Sequence, residues 1–243
     1  MKLGLQLWSI NDITKEKGIK ASIRLAEILG FEGIEFVGID SFSAEEAKAT
    51  LDEAGLVCCG AHVTEALLRD SFDDVLSRLK TLGAPSVCVG CRFYEGADDV
   101  KSFAKFMNET GKRLKAEGIR LGYHNHDHEF AEYDGKKIID ILLESCDSEN
   151  VFFELDTRHV AIGGSSPREY AKKYSGRIPF LHARDTDMKE DTAIGCGVVD
   201  FKAVKEAAGQ VEWIIVENPW LGSNLEQLRT SVNYLNDNLL NMG

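Results

Sequence analysis

The chain has 243 residues, 44% hydrophobic and 9% aromatic, with a formal net charge of −12. That length is close to the usual size of one (β/α)8 barrel and ample for a large core. An acidic balance of this size argues against a non-specific nucleic-acid binder, which needs a basic footprint. No apolar stretch reaches the roughly 18 residues of a membrane span.

Met1-Lys2-Leu3-Gly4-Leu5 opens directly into a strand-like run, with Gln6 and Asn11 soon after, and does not read as a secretory leader. The six cysteines, Cys58, Cys59, Cys88, Cys91, Cys146 and Cys196, lie mostly inside apolar runs. They read as reduced buried thiols, and a cytoplasmic location is the expectation. Short apolar segments rich in Val, Ile, Leu and Phe predict buried parallel strands. In chain order they fall at Leu3–Trp8, Gly33–Phe36, Val57–His62, Ser86–Val89, Arg120–His124, Val151–Asp156, Ile178–His182 and Trp213–Glu217. Between them, helix-like segments end at Gly30, Gly55, Gly83, Gly118, Gly176 and Gly209, and glycine is the usual residue just past a helix. Ser43 with Glu46 and Ser71 with Asp74 resemble capping boxes, Ser166-Pro167 reads as an N-cap and first turn, and a last helix runs from Leu225 to Leu240. Strand and helix alternate with no linker or composition shift. The expectation is an α/β chain folded as a single-domain (β/α)8 TIM barrel over residues 1–243.

All six histidines fall at or just after a predicted strand end: His62 on strand three, His124, His126 and His128 on five, His159 after six and His182 on seven. In a barrel those positions share the rim that carries active sites. Asp156 and Glu217 finish apolar strands six and eight, and Glu35 lies near the end of strand two. A carboxylate there is costly unless paired or metal-bound. Glu154 and Asp156 share one face of strand six by alternation. In a closed barrel His124, Asp156, His182 and Glu217 can surround one ion, and mixed imidazole and carboxylate donors suit Mn2+, Fe2+, Co2+ or Zn2+ better than Ca2+.

With these residues in this order, the sequence resembles the xylose isomerase-like TIM barrels, a family of sugar phosphate isomerases and epimerases. The resemblance rests on Gly33-Ile34-Glu35, Tyr123-His124-Asn125-His126 with Glu129-Phe130, Asp156-Thr157-Arg158-His159, His182-Ala183-Arg184-Asp185, Gly195 through Phe201, and Val216-Glu217-Asn218. It implies one divalent metal (Mn, Zn, Co, Fe or Mg) held by Asp156, His182 and Glu217. His124 stands where the family's ketose epimerases carry a glutamate that is both ligand and base. The departure lowers the ligand charge and removes one of two opposed bases, which favours one-base chemistry or dehydration of a keto-polyol, as in the inosose dehydratase branch. The resemblance also implies His159 and Arg184 beside substrate hydroxyls, with Glu217 as general base and Glu129 as a candidate second acid/base. Trp8, Glu35, His62 and His126 complete the expected substrate contacts, and Trp8 and Phe93 can stack on a sugar face, although core packing is the commoner role for each.

The partner expected is a small sugar or polyol, with no nucleic acid and no membrane; homo-oligomerisation is left open. An endonuclease IV-like phosphodiesterase would need a multi-metal cluster and a basic face, and a non-catalytic sugar binder need not keep a general base. Cys88-Val89-Gly90-Cys91 has redox spacing but no second pair, and Gly195-Cys196-Gly197 reads as a turn.

Overall fold

Short apolar runs can bury both faces only when helices cover one side and the other side closes on itself. That arrangement is what forms in the computed structural model, which describes residues 1–218 and 225–240. Among these residues eight parallel strands make one closed barrel. They are β1 (Lys2–Gln6), β2 (Gly33–Val37), β3 (Val57–Val63), β4 (Ser86–Gly90), β5 (Arg120–His124), β6 (Val151–Asp156), β7 (Phe180–Ala183) and β8 (Trp213–Val216). Strands adjacent in sequence pair in space, and β8 closes on β1 with Ile214 beside Leu3. No helix among the described residues is long and apolar enough to cross a membrane.

Two predicted boundaries move for local reasons. The first strand stops at Gln6 because its own side-chain oxygen accepts the Trp8 N–H at 2.7 Å and starts a 3-10 turn over Leu7–Ile10. Trp8 is thereby lifted onto the rim. Ser71 does not cap with its side chain: it is where the helix Glu65–Asp70 hands over to Phe72–Leu82, and its N–H bonds back to Leu67. Ser43 and Ser166 cap as expected, each accepting the N–H three residues on. The last helix is regular over Leu225–Leu235 and ends in a π turn, Asn236–Leu240.

Residues two apart on a strand share a face, so the barrel interior fills in tiers. At the bottom Cys59, Cys88, Phe152, Phe180, Trp213 and Ile215 form a separate apolar plug. Glycines make room for it: a Cβ at Gly33 would lie 2.6 Å from the Trp213 ring. Cys58 packs in the outer core instead, so the adjacent cysteines do face opposite ways. One step up each strand the residues turn polar, with Glu154 above Phe152, His182 above Phe180 and Glu217 above Ile215. The layer order therefore places chemistry only at the C-terminal mouth.

Candidate active site and metal centre

The upper tier is built from four strand ends. One donor atom each of His124, Asp156, His182 and Glu217 lies within 4.8 Å of the others, and all four side chains are buried. His124 Nε2 is 3.9 Å from both Asp156 Oδ2 and Glu217 Oε2, while His182 Nδ1 is 3.1 Å from Glu217 Oε2. Asp156 divides its two oxygens. Oδ1 accepts the His159 N–H at 2.8 Å and caps the helix Thr157–Ile162, whereas Oδ2 is buried with no hydrogen bond. A buried carboxylate oxygen without a donor is costly. Facing two imidazoles and a second carboxylate, it fits a divalent cation.

A lower polar tier lies directly beneath, where Glu35 and His62, expected as substrate contacts, gather with Glu154, for which no role was expected. Glu154 Oε2 is 2.6 Å from His62 Nε2, 3.2 Å from His124 Nδ1 and 3.4 Å from His182 Nε2. Glu35 Oε2 is 2.8 Å from His182 Nε2 and 3.2 Å from His62 Nε2. Glu35 is fully buried and does not reach the cavity, contrary to its expected substrate contact. The pairing register shifts between Ile34 and Glu35, and Gly60 opposite has no side chain to fill the space Glu35 takes.

The electrostatics follow from this stacking. Burial pushes the Glu35 carboxyl up, and Glu154 nearby adds to it. Burial opposes ionisation of Glu154 too, but His182 and His62 outweigh it and hold that carboxyl well below the usual range. Burial would lower His62, yet Glu35 and Glu154 raise it to about 9. The same two carboxylates raise His182 well above its ordinary value against burial. His124 falls to about 4 through burial and the neighbouring His182, and His126 falls to about 2 through burial and His124. For Glu217, burial is overcome by Arg184, a hydrogen bond with His182 and His124, so it stays ionised.

A cavity of about 530 Å3 opens beside the upper tier, lined by Gln6, Trp8, His62, His124, His126 and Glu217 together with Val37, Val63, Leu67 and Cys91. Trp8, His62 and His126 line this cavity, and Trp8 is 44% exposed, not core. Phe93 is 74% exposed but stacks on His128 and does not line the cavity. Arg184 and His159 stand behind the wall. Arg184 Nη1 is 2.9 Å from His159 Nε2, 3.6 Å from Asp156 Oδ2 and 3.8 Å from Glu217 Oε1. His159 Nδ1 faces Asp127 Oδ1 at 2.9 Å, so both of its ring nitrogens are engaged by protein.

Glu129 is outside this assembly. Tyr123 alternates with His124 and points away from the barrel axis; its hydroxyl donates to Glu129, whose other oxygen accepts the His126 N–H. Burial, the largest influence, pushes Glu129 up to about 8. It pins a turn and does not meet the cavity. The Gly195-Gly197 turn is likewise internal, since both N–H groups donate to Asp185 Oδ2 at 2.9 Å. All six cysteines are free, but Cys91 and Cys196 are exposed, not buried.

Residues 23–238 match the family described as xylose isomerase-like TIM barrel. The chain belongs to that family. It is 28% identical over 202 residues to an inosose dehydratase of Clostridium perfringens, a match covering 74% of this chain and 67% of that one. Against the inosose dehydratase of Lacticaseibacillus casei the identity is 26% over 142 residues and 49% of this chain, and the chain spans about half (47%) of that relative's length. Among solved structures, a sugar phosphate isomerase/epimerase from Parabacteroides distasonis superposes with a TM-score of 0.81 at 24% identity, covering 96% of this chain and 93% of the other. A zinc-bound IOLI protein superposes with a TM-score of 0.75 at 18% identity, covering 98% and 97%. At these identities the structural likeness shows the fold. The matched relatives bear enzyme names, of both dehydratase and isomerase kinds.

Proposed function

We propose that the chain is a divalent-metal-dependent isomerase or epimerase that enolises a keto- or aldo-sugar, or a related polyol. The observation that carries this reading is Asp156 Oδ2, without a hydrogen bond and facing His124 Nε2, with Glu217 and His182 completing the donor set and His124 and Glu217 lining the cavity. His124, Asp156, His182 and Glu217 would hold the ion, which when bound polarises a substrate carbonyl and acidifies the neighbouring C–H. Zinc in a neighbour of the same fold supports a metal here.

The chain's own groups supply the rest. Glu217 is ionised, buried and at the cavity, so it takes the proton from carbon. Arg184, 3.8 Å from Glu217 Oε1, offers positive charge where the enediolate oxygen gains negative charge. His159 holds the Arg184 guanidinium in place and is a positioning residue. Trp8 offers a flat apolar wall to a sugar ring, and neutral His126 a hydrogen-bonding nitrogen. Among the described residues lining the cavity, the other carboxylate is Asp40, exposed at the mouth. That arrangement suits one base returning the proton to a neighbouring carbon.

A second reading, dehydration of a keto-polyol, is favoured by the relatives named inosose dehydratase. In it Glu217 removes the same proton, the β C–O bond breaks, and the proton leaves with the hydroxyl as water. Incubation with Mn2+ and a panel of keto-sugars and inososes in D2O, followed by proton NMR, tests both. Deuterium entering beside a carbonyl supports the shared step, and an unsaturated carbonyl product selects dehydration. No exchange in any substrate with the ion demonstrably bound overturns the proposal.

A further inference from the structure

The two buried carboxylates of the lower tier have no place in the chemistry just described, yet they touch both imidazoles that do. Glu154 Oε2 stands within 3.4 Å of nitrogens on three histidines, and Glu35 Oε2 within 3.2 Å of two of them. An imidazole has two nitrogens, and whichever carries the proton cannot bind a cation. For His124 the nitrogen facing downward is Nδ1, 3.2 Å from Glu154, and the one facing Asp156 and Glu217 is Nε2. For His182, Nδ1 hydrogen-bonds Glu217 Oε2 at 3.1 Å, while Nε2 lies 2.8 Å from Glu35 Oε2 and 3.4 Å from Glu154 Oε2 without a hydrogen bond to either. Each ring thus presents one nitrogen to each tier.

We infer that Glu154 is a positioning floor that fixes His124 as the Nδ1–H tautomer, so that its Nε2 stands ready for the ion. His62 stands between the two carboxylates, 2.6 Å from Glu154 Oε2 and 3.2 Å from Glu35 Oε2, and is not one of the four upper donors. This inference rests on the metal reading above. Carboxylates behind metal-bound imidazoles fix ring orientation and raise ligand basicity, and their loss typically weakens metal binding by 10–100-fold. The depth of the floor is set by the strand: Glu154 is two residues below Asp156 on the same face of β6.

The lower tier has a rival use. His62, His124, Glu154 and His182 also bring one donor atom each within 4.8 Å of one another, so they could hold an ion themselves. Filling both tiers would require both His124 and His182 to bind through both nitrogens, each losing its last proton. The 2.6 Å separation of His62 Nε2 and Glu154 Oε2 is that of a hydrogen bond, which favours a proton between them.

The test uses the whole chain with Mn2+ or Zn2+ competed against a chelating dye, and nitrogen-15 NMR of the histidine rings. The floor predicts one ion per chain and about 10–100-fold weaker binding in Glu154→Gln. In the metal-free wild type it predicts a proton on Nδ1 of His124 and none on its Nε2, a readout that needs no substitution to fold and does not depend on turnover. An unchanged affinity in folded Glu154→Gln, a His124 proton on Nε2, or a second ion lost on His62→Ala overturns it. Absence of turnover with the tautomer and affinity as stated would sink the proposed reaction and leave the floor standing.

Discussion

Glu154 and Asp156 occupy successive inward positions of one strand and serve opposite tiers: the first meets three histidines below, and the second keeps one oxygen without a hydrogen bond above. Asp156 also does two jobs with its two oxygens, since Oδ1 caps the helix Thr157–Ile162 through the His159 N–H. The jobs separate by substitution. Asp156→Asn keeps a capping oxygen and removes the charge, so it should fold with near wild-type stability and lose the ion. Asp156→Ala loses both and should cost a further ~1 kcal/mol for the cap. Urea unfolding and metal titration on the two variants, side by side, check the division.

Glu217 should be the residue on which carbon–hydrogen exchange depends. Glu217→Gln keeps the shape and the hydrogen-bonding oxygen but cannot accept the proton. With Mn2+ raised until the variant is loaded, exchange in D2O should fall by about 10²–10⁴. Cys196→Ser, exposed and away from the cavity, should exchange like the wild type. Equal losses in the two would remove Glu217 from the role of base.

Much of this was legible in the sequence because barrel positions are set by short-range rules. Strands β5 and β6 fall on their predicted bounds, and the predicted rim contained His124, Asp156, His182 and Glu217. What escaped was depth and loop geometry. Alternation put Glu154 on the face of Asp156, but only the closed barrel shows that one position down meets three imidazoles. Glu35 sinks beneath His62 because of a register shift that no local pattern announces. Glu129 follows the histidine run closely enough to read as rim, yet Tyr123 on the outer face claims it. Asp191, which anchors Arg184 and Arg158, comes from a two-strand hairpin formed by Asp185–Thr186 and Asp191–Thr192, whose pairing is tertiary in origin.

Arg184 poses a conflict that a variant can expose. It lies 3.6 Å from Asp156 Oδ2 and 3.8 Å from Glu217 Oε1, so it neutralises two of the groups that would hold the cation. Two positive charges sharing those carboxylates repel, and at an effective dielectric constant near 20 such a repulsion amounts to a few kcal/mol. Arg184→Gln should therefore bind Mn2+ roughly tenfold tighter or more, while turnover drops by about 10²–10³ for want of charge against the enediolate. Affinity and rate moving in opposite directions is the signature. Parallel loss of both would mean Arg184 acts chiefly by holding the local fold through Asp191 and His159.

Stability should carry a pH signature from Glu129, which lies clear of the candidate ligands. Burial raises its folded-state pKa from an ordinary 4.5 to about 8, so the folded chain holds this proton more tightly than the unfolded chain does. The sign follows from linkage: the contribution is present in full below about 4.5 and is lost as pH rises through about 8. Glu129→Gln removes the titration but keeps an oxygen for the Tyr123 hydroxyl or the His126 N–H. Urea midpoints measured at intervals from pH 5 to pH 8.5 should decline for the wild type and decline less for the variant. Identical slopes would mean that the charged form of Glu129 is accommodated, its two hydrogen bonds compensating for the burial.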